Sequence, residues 1–187
     1  MAAGKPVSIL ITGASSGIGE ALARLYAGPG VSLALSGRSA KRLESVAAAC
    51  GASGAEIETE VLDVTNTEAM VTWIAARDAS CPLDLVIANA GVSAGTCGVP
   101  GGRHFYDETE AQAQRIFTVN LDGVLNTVLP VIPRMRERGQ GQIALMSSLA
   151  GIRGVPGASA YSASKAAVKS WGEVLRLNLA PDGISVT

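Results

Sequence analysis

Aromatic side chains make up only 4% of the 187 residues, charged ones only 17%, and there is a single histidine. With so few aromatics, the core has to be built from Ala, Val, Leu and Ile. The one histidine, His104, has no second histidine to share a metal and is read as a surface or hydrogen-bonding residue. The three cysteines, Cys50, Cys81 and Cys97, are odd in number and show no Cys-x-x-Cys spacing. They are read as reduced thiols in a cytoplasmic protein, with no metal site and no disulfide framework. A net charge of −1 supplies no basic face for nucleic acid or for an anionic membrane. No apolar run approaches the ~20 residues of a spanning helix. The N-terminal stretch also lacks the longer apolar region of a signal peptide. What is present is a globular composition, 48% hydrophobic, with 22 glycines that point to tight turns and close backbone approaches.

Short apolar runs alternate with helical spacing along the whole chain. Strands are expected at 7–12, 31–36, 56–62, 83–88, 142–147 and from 184 onward. Helices are expected at 17–27 (on Ile18, Leu22 and Leu25), 40–50 (ended by Gly51), 67–78, 108–138 and 159–179. Pro130 and Pro133 should kink or divide the long fourth helix near its end. Two Gly/Pro-rich loops, 92–106 and 149–158, should line a substrate pocket. The charged cluster Arg136, Glu137 and Arg138 reads as a solvated helix end. This alternation of apolar strands with helices predicts an α/β protein, a doubly wound parallel sheet (Rossmann fold) in three α/β/α layers. Ligands of that architecture sit beyond the carboxyl ends of the strands. No linker or repeat is visible, so residues 1–187 are read as one dinucleotide-binding and catalytic domain.

The first strand runs into Thr12-Gly13-Ala14-Ser15-Ser16-Gly17-Ile18-Gly19 and then a helix. Gly13 suits the turn off the strand, Gly17 the approach of a pyrophosphate, and Gly19 close packing of helix on sheet. The amides at the helix start then face the phosphates. Gly13, Ser15, Ser16, Gly17, Ile18 and Gly19 are the expected phosphate-binding set. The spacing is not a P-loop, because no Gly-Lys-Ser/Thr follows. After the second strand the chain reads Ser36-Gly37-Arg38-Ser39, with no acid to accept from a ribose 2′-hydroxyl. Arg38 can pair with a 2′-phosphate, so NADP is expected over NAD. Asp63 and Val64 follow the third strand; Asp63 either caps the next turn or accepts from the adenine amino group. Asn89, Ala90 and Gly91 end the fourth strand, where they either shape the turn or approach a ribose.

Tyr161 and Lys165 are four apart at the start of the last helix and share a face. A free tyrosine titrates near ~10 and is a poor acid or base at neutral pH. A neighbouring ammonium favours its phenolate. Tyr161 can then pass a proton to or from a substrate oxygen. A hydroxyl to hold that oxygen is available at Ser147 or Ser148, and strand alternation lets only one of them face the site.

In this order the motifs resemble the short-chain dehydrogenase/reductase family: TGASSGIG at 12–19, LDV at 62–64, NAG at 89–91, Asn120, SS at 147–148 and YSASK at 161–165. The GxxxGxG spacing resembles the family's compact single-domain branch. The resemblance implies a catalytic tetrad of Asn120, Ser148, Tyr161 and Lys165. It selects Ser148 as the serine thirteen positions before the tyrosine. It also implies that Lys165 holds the nicotinamide ribose and that Asn120 bends the long helix and anchors a water. The implied activity is hydride transfer between NADP(H) and a small carbonyl or alcohol, in a homodimer or homotetramer. The alternatives are a non-catalytic dinucleotide-binding or assembly module, and an isomerase or dehydratase that retains its nicotinamide. The family pattern continues beyond Thr187 with a Pro-Gly segment, a substrate lid and a seventh strand. The 187 residues are therefore read as lacking those C-terminal strands and that substrate segment, as a truncated or a naturally short relative.

Overall fold

The computed structural model describes residues 6–94 and 108–187; His104, Cys97 and most of the 92–106 loop lie outside them. The strands are β1 (Ser8–Ile11), β2 (Ser32–Gly37), β3 (Glu56–Val61), β4 (Leu85–Ala88), β5 (Gly141–Leu145) and β6 (Ile184–Val186). Between them run α1 (Gly17–Tyr26), α2 (Ala40–Ala52), α3 (Thr67–Ser80), α4 (Glu110–Phe117), α5 (Gly123–Val128), α6 (Ile132–Arg138) and α7 (Ser159–Leu179). The six strands pair in the order β3-β2-β1-β4-β5-β6, all parallel. The doubly wound sheet is therefore present, and its order reverses between β1 and β4, where such sheets open a crevice.

Strand alternation divides the core into two layers. Ile9, Ile11, Leu33, Leu35, Leu85 and Ile87 pack on one face with Ala23, Leu43, Val46 and Cys50. Leu10, Ala34, Val86, Ala88 and Ile143 face the other way, onto Met70, Trp73, Ile74, Val124, Val128 and Val168. Burial raises the pKa of the Cys50 thiol, as expected of an inert core cysteine.

Four expectations are corrected. β3 is not an apolar strand: it reads Glu-Ile-Glu-Thr-Glu-Val and is exposed along most of its length, because it lies at the sheet edge. Charged side chains there oppose edge-to-edge pairing. Gly51 does not end α2, which runs on to Ala52; the left-handed residue that turns the chain is Gly54, at φ +89°. The apolar residues Ile18 and Leu25 of α1 are 59% and 75% exposed, and the face laid on the sheet is Gly19 and Ala23. Small residues let that helix approach closely. Finally, Arg138 is not a solvated helix end. Both its terminal nitrogens donate to Asp78, at 2.8 and 2.9 Å, and Asp78 is buried. A two-pronged pair of this kind fixes geometry as well as charge.

The long helical stretch is divided before its prolines are reached. A π turn occupies Thr118–Asp122 and joins α4 to α5, as a single residue inserted within a helix does. A second break precedes Ile132, with Pro133 in the first turn of α6. By length and composition the whole stretch Glu110–Arg138 could cross a membrane, which qualifies the expectation from apolar runs. Half of its most apolar window is buried inside the fold, as in the core helix of a globular domain.

Candidate active site

β1 ends at the sheet's switch point and delivers Thr12 and Gly13 into the crevice. Gly13 has φ +67°, a conformation that L side chains rarely adopt, and a Cβ there would lie 2.8 Å from the Cα of Ala90. A Cβ on Gly19 would collide with the carbonyl oxygen of Gly13 and the Asn89 side chain. Gly17 has open space before it at φ +60°. Ser16 begins α1 in extended conformation, and its hydroxyl caps none of the helix amides. The turn is thus packed on its protein side and open on its cavity side. Its first-turn amides have no side-chain cap, as an anion site requires.

Asn89 holds this turn in place. Its Nδ2 donates to the carbonyls of Thr12 (2.9 Å) and Gly13 (3.3 Å). Thr12 Oγ1 accepts from the amides of Asn89 and Ala90 and donates to the Ile87 carbonyl. Asn89 thus shapes the turn and also lines the cavity, so it is placed for both readings open in the sequence. Asp63 is likewise occupied on one side: its Oδ1 accepts from the amide and hydroxyl of Thr65, at 3.0 and 2.9 Å. Partial burial pushes its pKa up, but the Thr65 hydrogen bonds, Arg38 and Arg115 outweigh this and hold the carboxyl below its ordinary value.

A cavity of about 350 Å³ runs along the carboxyl ends of the strands. Gly13, Ser15, Ser16, Ile18, Arg38, Asp63, Val64, Asn89, Ala90, Gly91, Tyr161 and Lys165 all line it. Gly17 and Gly19 are not among the residues that line it. Arg42 lines it as well and was missed in the sequence. The available signal was its place in the first turn of α2, four residues beyond Arg38. Two guanidinium groups therefore border this end of the cavity beside Gly37, with the Asp63 carboxylate near enough to Arg38 to be stabilised by its charge. The glycine cradle, the uncapped amides and the paired arginines fit a nicotinamide dinucleotide.

At the other end, α7 supplies Tyr161 and Lys165. The Lys165 Nζ is 5.9 Å from the centre of the Tyr161 ring and donates to the Met146 carbonyl at 2.7 Å. The residue is only 3% exposed, and burial lowers its pKa by disfavouring the ammonium. Ser147 lines the cavity, but its hydroxyl donates to the carbonyl of Lys165 at 2.8 Å. Ser148 precedes the 3-10 turn Leu149–Gly151 and accepts from the Ala150 amide at 3.2 Å, and its hydroxyl donates to no acceptor among the described residues. Asn120 lies behind the cavity, fully buried in the π turn. Its side chain accepts from the Val92 amide and donates to the Val92 carbonyl, at 2.8 and 3.0 Å, and donates to Ser164 at 3.0 Å. Of the four residues singled out in the sequence, Tyr161 and Lys165 line the cavity and Asn120 is tied to the same helix through Ser164, whereas Ser148 is not among the lining residues. Among the described residues no cluster of acids, cysteines or histidine could hold a metal ion.

Comparison with known proteins agrees with this architecture. The sequence pattern described as short chain dehydrogenase matches residues 7–187. An oxidoreductase of Myxococcus xanthus is 40% identical over 179 residues, which cover 95% of this chain and 68% of that one. The crystal structure of NAD+-bound xylitol dehydrogenase superposes with a TM-score of 0.85 at 29% identity, over 96% of this chain and 67% of the other. A metagenomic short-chain oxidoreductase in complex with NADP gives 0.83 at 27% identity, over 95% and 78%. The chain spans about two thirds of the length of the first two of these relatives. The fold, the ordered motifs and these matches together show that the chain belongs to the short chain dehydrogenase family of oxidoreductases.

Proposed function

We propose that this chain is an NADP(H)-dependent oxidoreductase that interconverts a small carbonyl compound and its alcohol, with Tyr161 as the acid/base. The observation that carries this reading is the placement of Tyr161 and a buried Lys165 in the same cavity as the glycine turn. A bound nicotinamide would exchange a hydride with the substrate carbon. Gly13, Ser15, Ser16, Gly17, Ile18 and Gly19 would hold the pyrophosphate, with Asp63 and Val64 beside the adenine and Ala90 and Gly91 beside the ribose. Arg38 and Arg42 favour a 2′-phosphate over a bare 2′-hydroxyl, hence NADP over NAD.

The chemistry at the substrate oxygen falls to the protein. Ser148 donates its uncommitted hydroxyl proton to that oxygen, and Tyr161 gives it a proton in reduction or removes one in oxidation. Lys165 lies against the Tyr161 ring with its ammonium anchored on Met146, where it favours the phenolate. Asn120 supports the site from behind by clamping the Val92 backbone and the α7 residue Ser164. The homodimer or homotetramer belongs to the same reading. It is supported by the exposed apolar residues Phe117, Leu129, Val174 and Leu177 on the α4–α5 stretch and α7.

Incubation with NADPH and a panel of ketones and aldehydes, acetophenone among them, tests the reading. Stoichiometric oxidation of NADPH with formation of alcohol is expected. Binding without any turnover supports a non-catalytic module instead. Turnover of a substrate without net cofactor consumption supports an isomerase or dehydratase.

A further inference from the structure

The proposed acid/base acts only if the Tyr161 hydroxyl is held within hydrogen-bond reach of the substrate oxygen. What fixes its backbone is not local. The residue before α7, Ala158, offers no side-chain cap, so the first amides of that helix need an acceptor from elsewhere. Glu108 supplies it from across the fold. One carboxylate oxygen accepts from the Ser159 hydroxyl at 2.9 Å and from the Ala160 amide, and the other accepts from the Tyr161 amide at 3.2 Å. A carboxylate at a helix N-terminus is also favoured by the helix dipole.

Glu108 is itself well anchored. The next residue, Thr109, opens α4 with a capping box, in which Thr109 Oγ1 accepts from the Gln112 amide at 3.3 Å and Gln112 Oε1 accepts from the Thr109 amide at 2.9 Å. The same segment reaches Tyr161 a second time. Asn120 donates to Ser164 Oγ at 3.0 Å, and Ser164 Oγ donates to the carbonyl of Tyr161 at 2.8 Å. The two backbone polar groups of Tyr161 are therefore both tied to the stretch between Glu108 and Asn120. The amide is held directly by Glu108, and the carbonyl through Ser164.

We infer that Glu108 is a positioning residue for the proposed reaction, setting the orientation of Tyr161 from outside the helix that carries it. This rests on the reading of Tyr161 as the acid/base. Lys165 and the glycine turn are anchored independently, on Met146 and on Asn89. Loss of Glu108 should therefore damage the chemical step and spare cofactor binding. An error of about 1 Å in placing a catalytic group can lower rate by ~10²-fold.

The test uses Glu108→Ala and Glu108→Gln, assayed with NADPH and acetophenone, with NADPH affinity read by fluorescence. For Glu108→Ala, kcat should fall by ~10–100-fold, with KM and NADPH affinity within about threefold of wild type. Glu108→Gln keeps one acceptor oxygen in place of two and should restore only part of kcat. Amide hydrogen exchange on the NADPH-bound proteins should show faster exchange over residues 159–162 in Glu108→Ala alone. An unchanged kcat overturns the inference. So does a loss of NADPH affinity that matches the loss of kcat, or a Gln variant no better than Ala. If wild type itself turns over none of the panel substrates, the proposed reaction fails. Glu108 is then judged by exchange alone, where unchanged protection of the first turn overturns its role.

Discussion

A Tyr161→Phe protein is expected to bind NADPH as wild type does and to lose turnover by ~10²–10⁴-fold, the range associated with a positioned acid or base. The substitution removes one oxygen and leaves the ring, so the cavity wall and the contact with Lys165 are kept. No hydrogen bond from the tyrosine hydroxyl to another described residue is present, so its removal orphans no buried partner and the fold should be undisturbed. Steady-state kinetics beside a thermal melt and a fluorescence titration separate these effects. Equal melting temperatures and equal NADPH affinity with turnover lost would fit a role in proton transfer. Turnover retained within about threefold would remove Tyr161 from the chemistry.

Lys165→Met should lose turnover as severely and yet give a protein at least as stable, melting at or about 2–6 °C above wild type. The reason is the burial of an ammonium. At 3% exposure, with one carbonyl among the described residues, at 2.7 Å, as its acceptor, the charged form is destabilised and the lysine pKa is lowered. The sign follows from proton binding. Below the lowered folded pKa both states carry the proton, and the penalty of burying the charge is constant. Between that pKa and the ordinary value the unfolded chain binds more protons, so wild-type stability gains as pH rises. This contribution should be missing from Lys165→Met, which replaces the amine by an apolar chain of similar length. Melting curves of the two proteins at neutral and alkaline pH measure it. A variant that melts well below wild type at neutral pH would show that the lysine supports the fold.

The topology was legible because strands buried on both faces leave apolar runs, and glycine and proline punctuate them. The α7 boundaries at Ser159 and Leu179 came from such punctuation. β3 was legible as a strand, but its exposure was not, because its place at the edge is a property of the sheet as a whole. The glycine turn carried its own explanation, since Gly13 and Gly19 each stand where a Cβ meets backbone. The π turn left no trace in composition, since one inserted residue within a helix changes no residue type. Side-chain commitments were hidden for a related reason. Ser147 and Ser148 are chemically identical in sequence, and only the Lys165 carbonyl beside one of them separates their roles. Glu108 was invisible because its partners lie up to 53 positions away, beyond any local pattern.

We propose, above all, that this cleft takes NADP(H) through the glycine turn and Arg38. Parallel fluorescence titrations with NADPH and NADH test it most directly, on wild type and on Arg38→Asp. The account predicts NADPH bound at least ~10-fold more tightly than NADH by wild type. It also predicts that this preference is lost or reversed in Arg38→Asp, where a carboxylate repels the 2′-phosphate and can accept from a 2′-hydroxyl. Binding of neither nucleotide, or a preference untouched by the substitution, would contradict it.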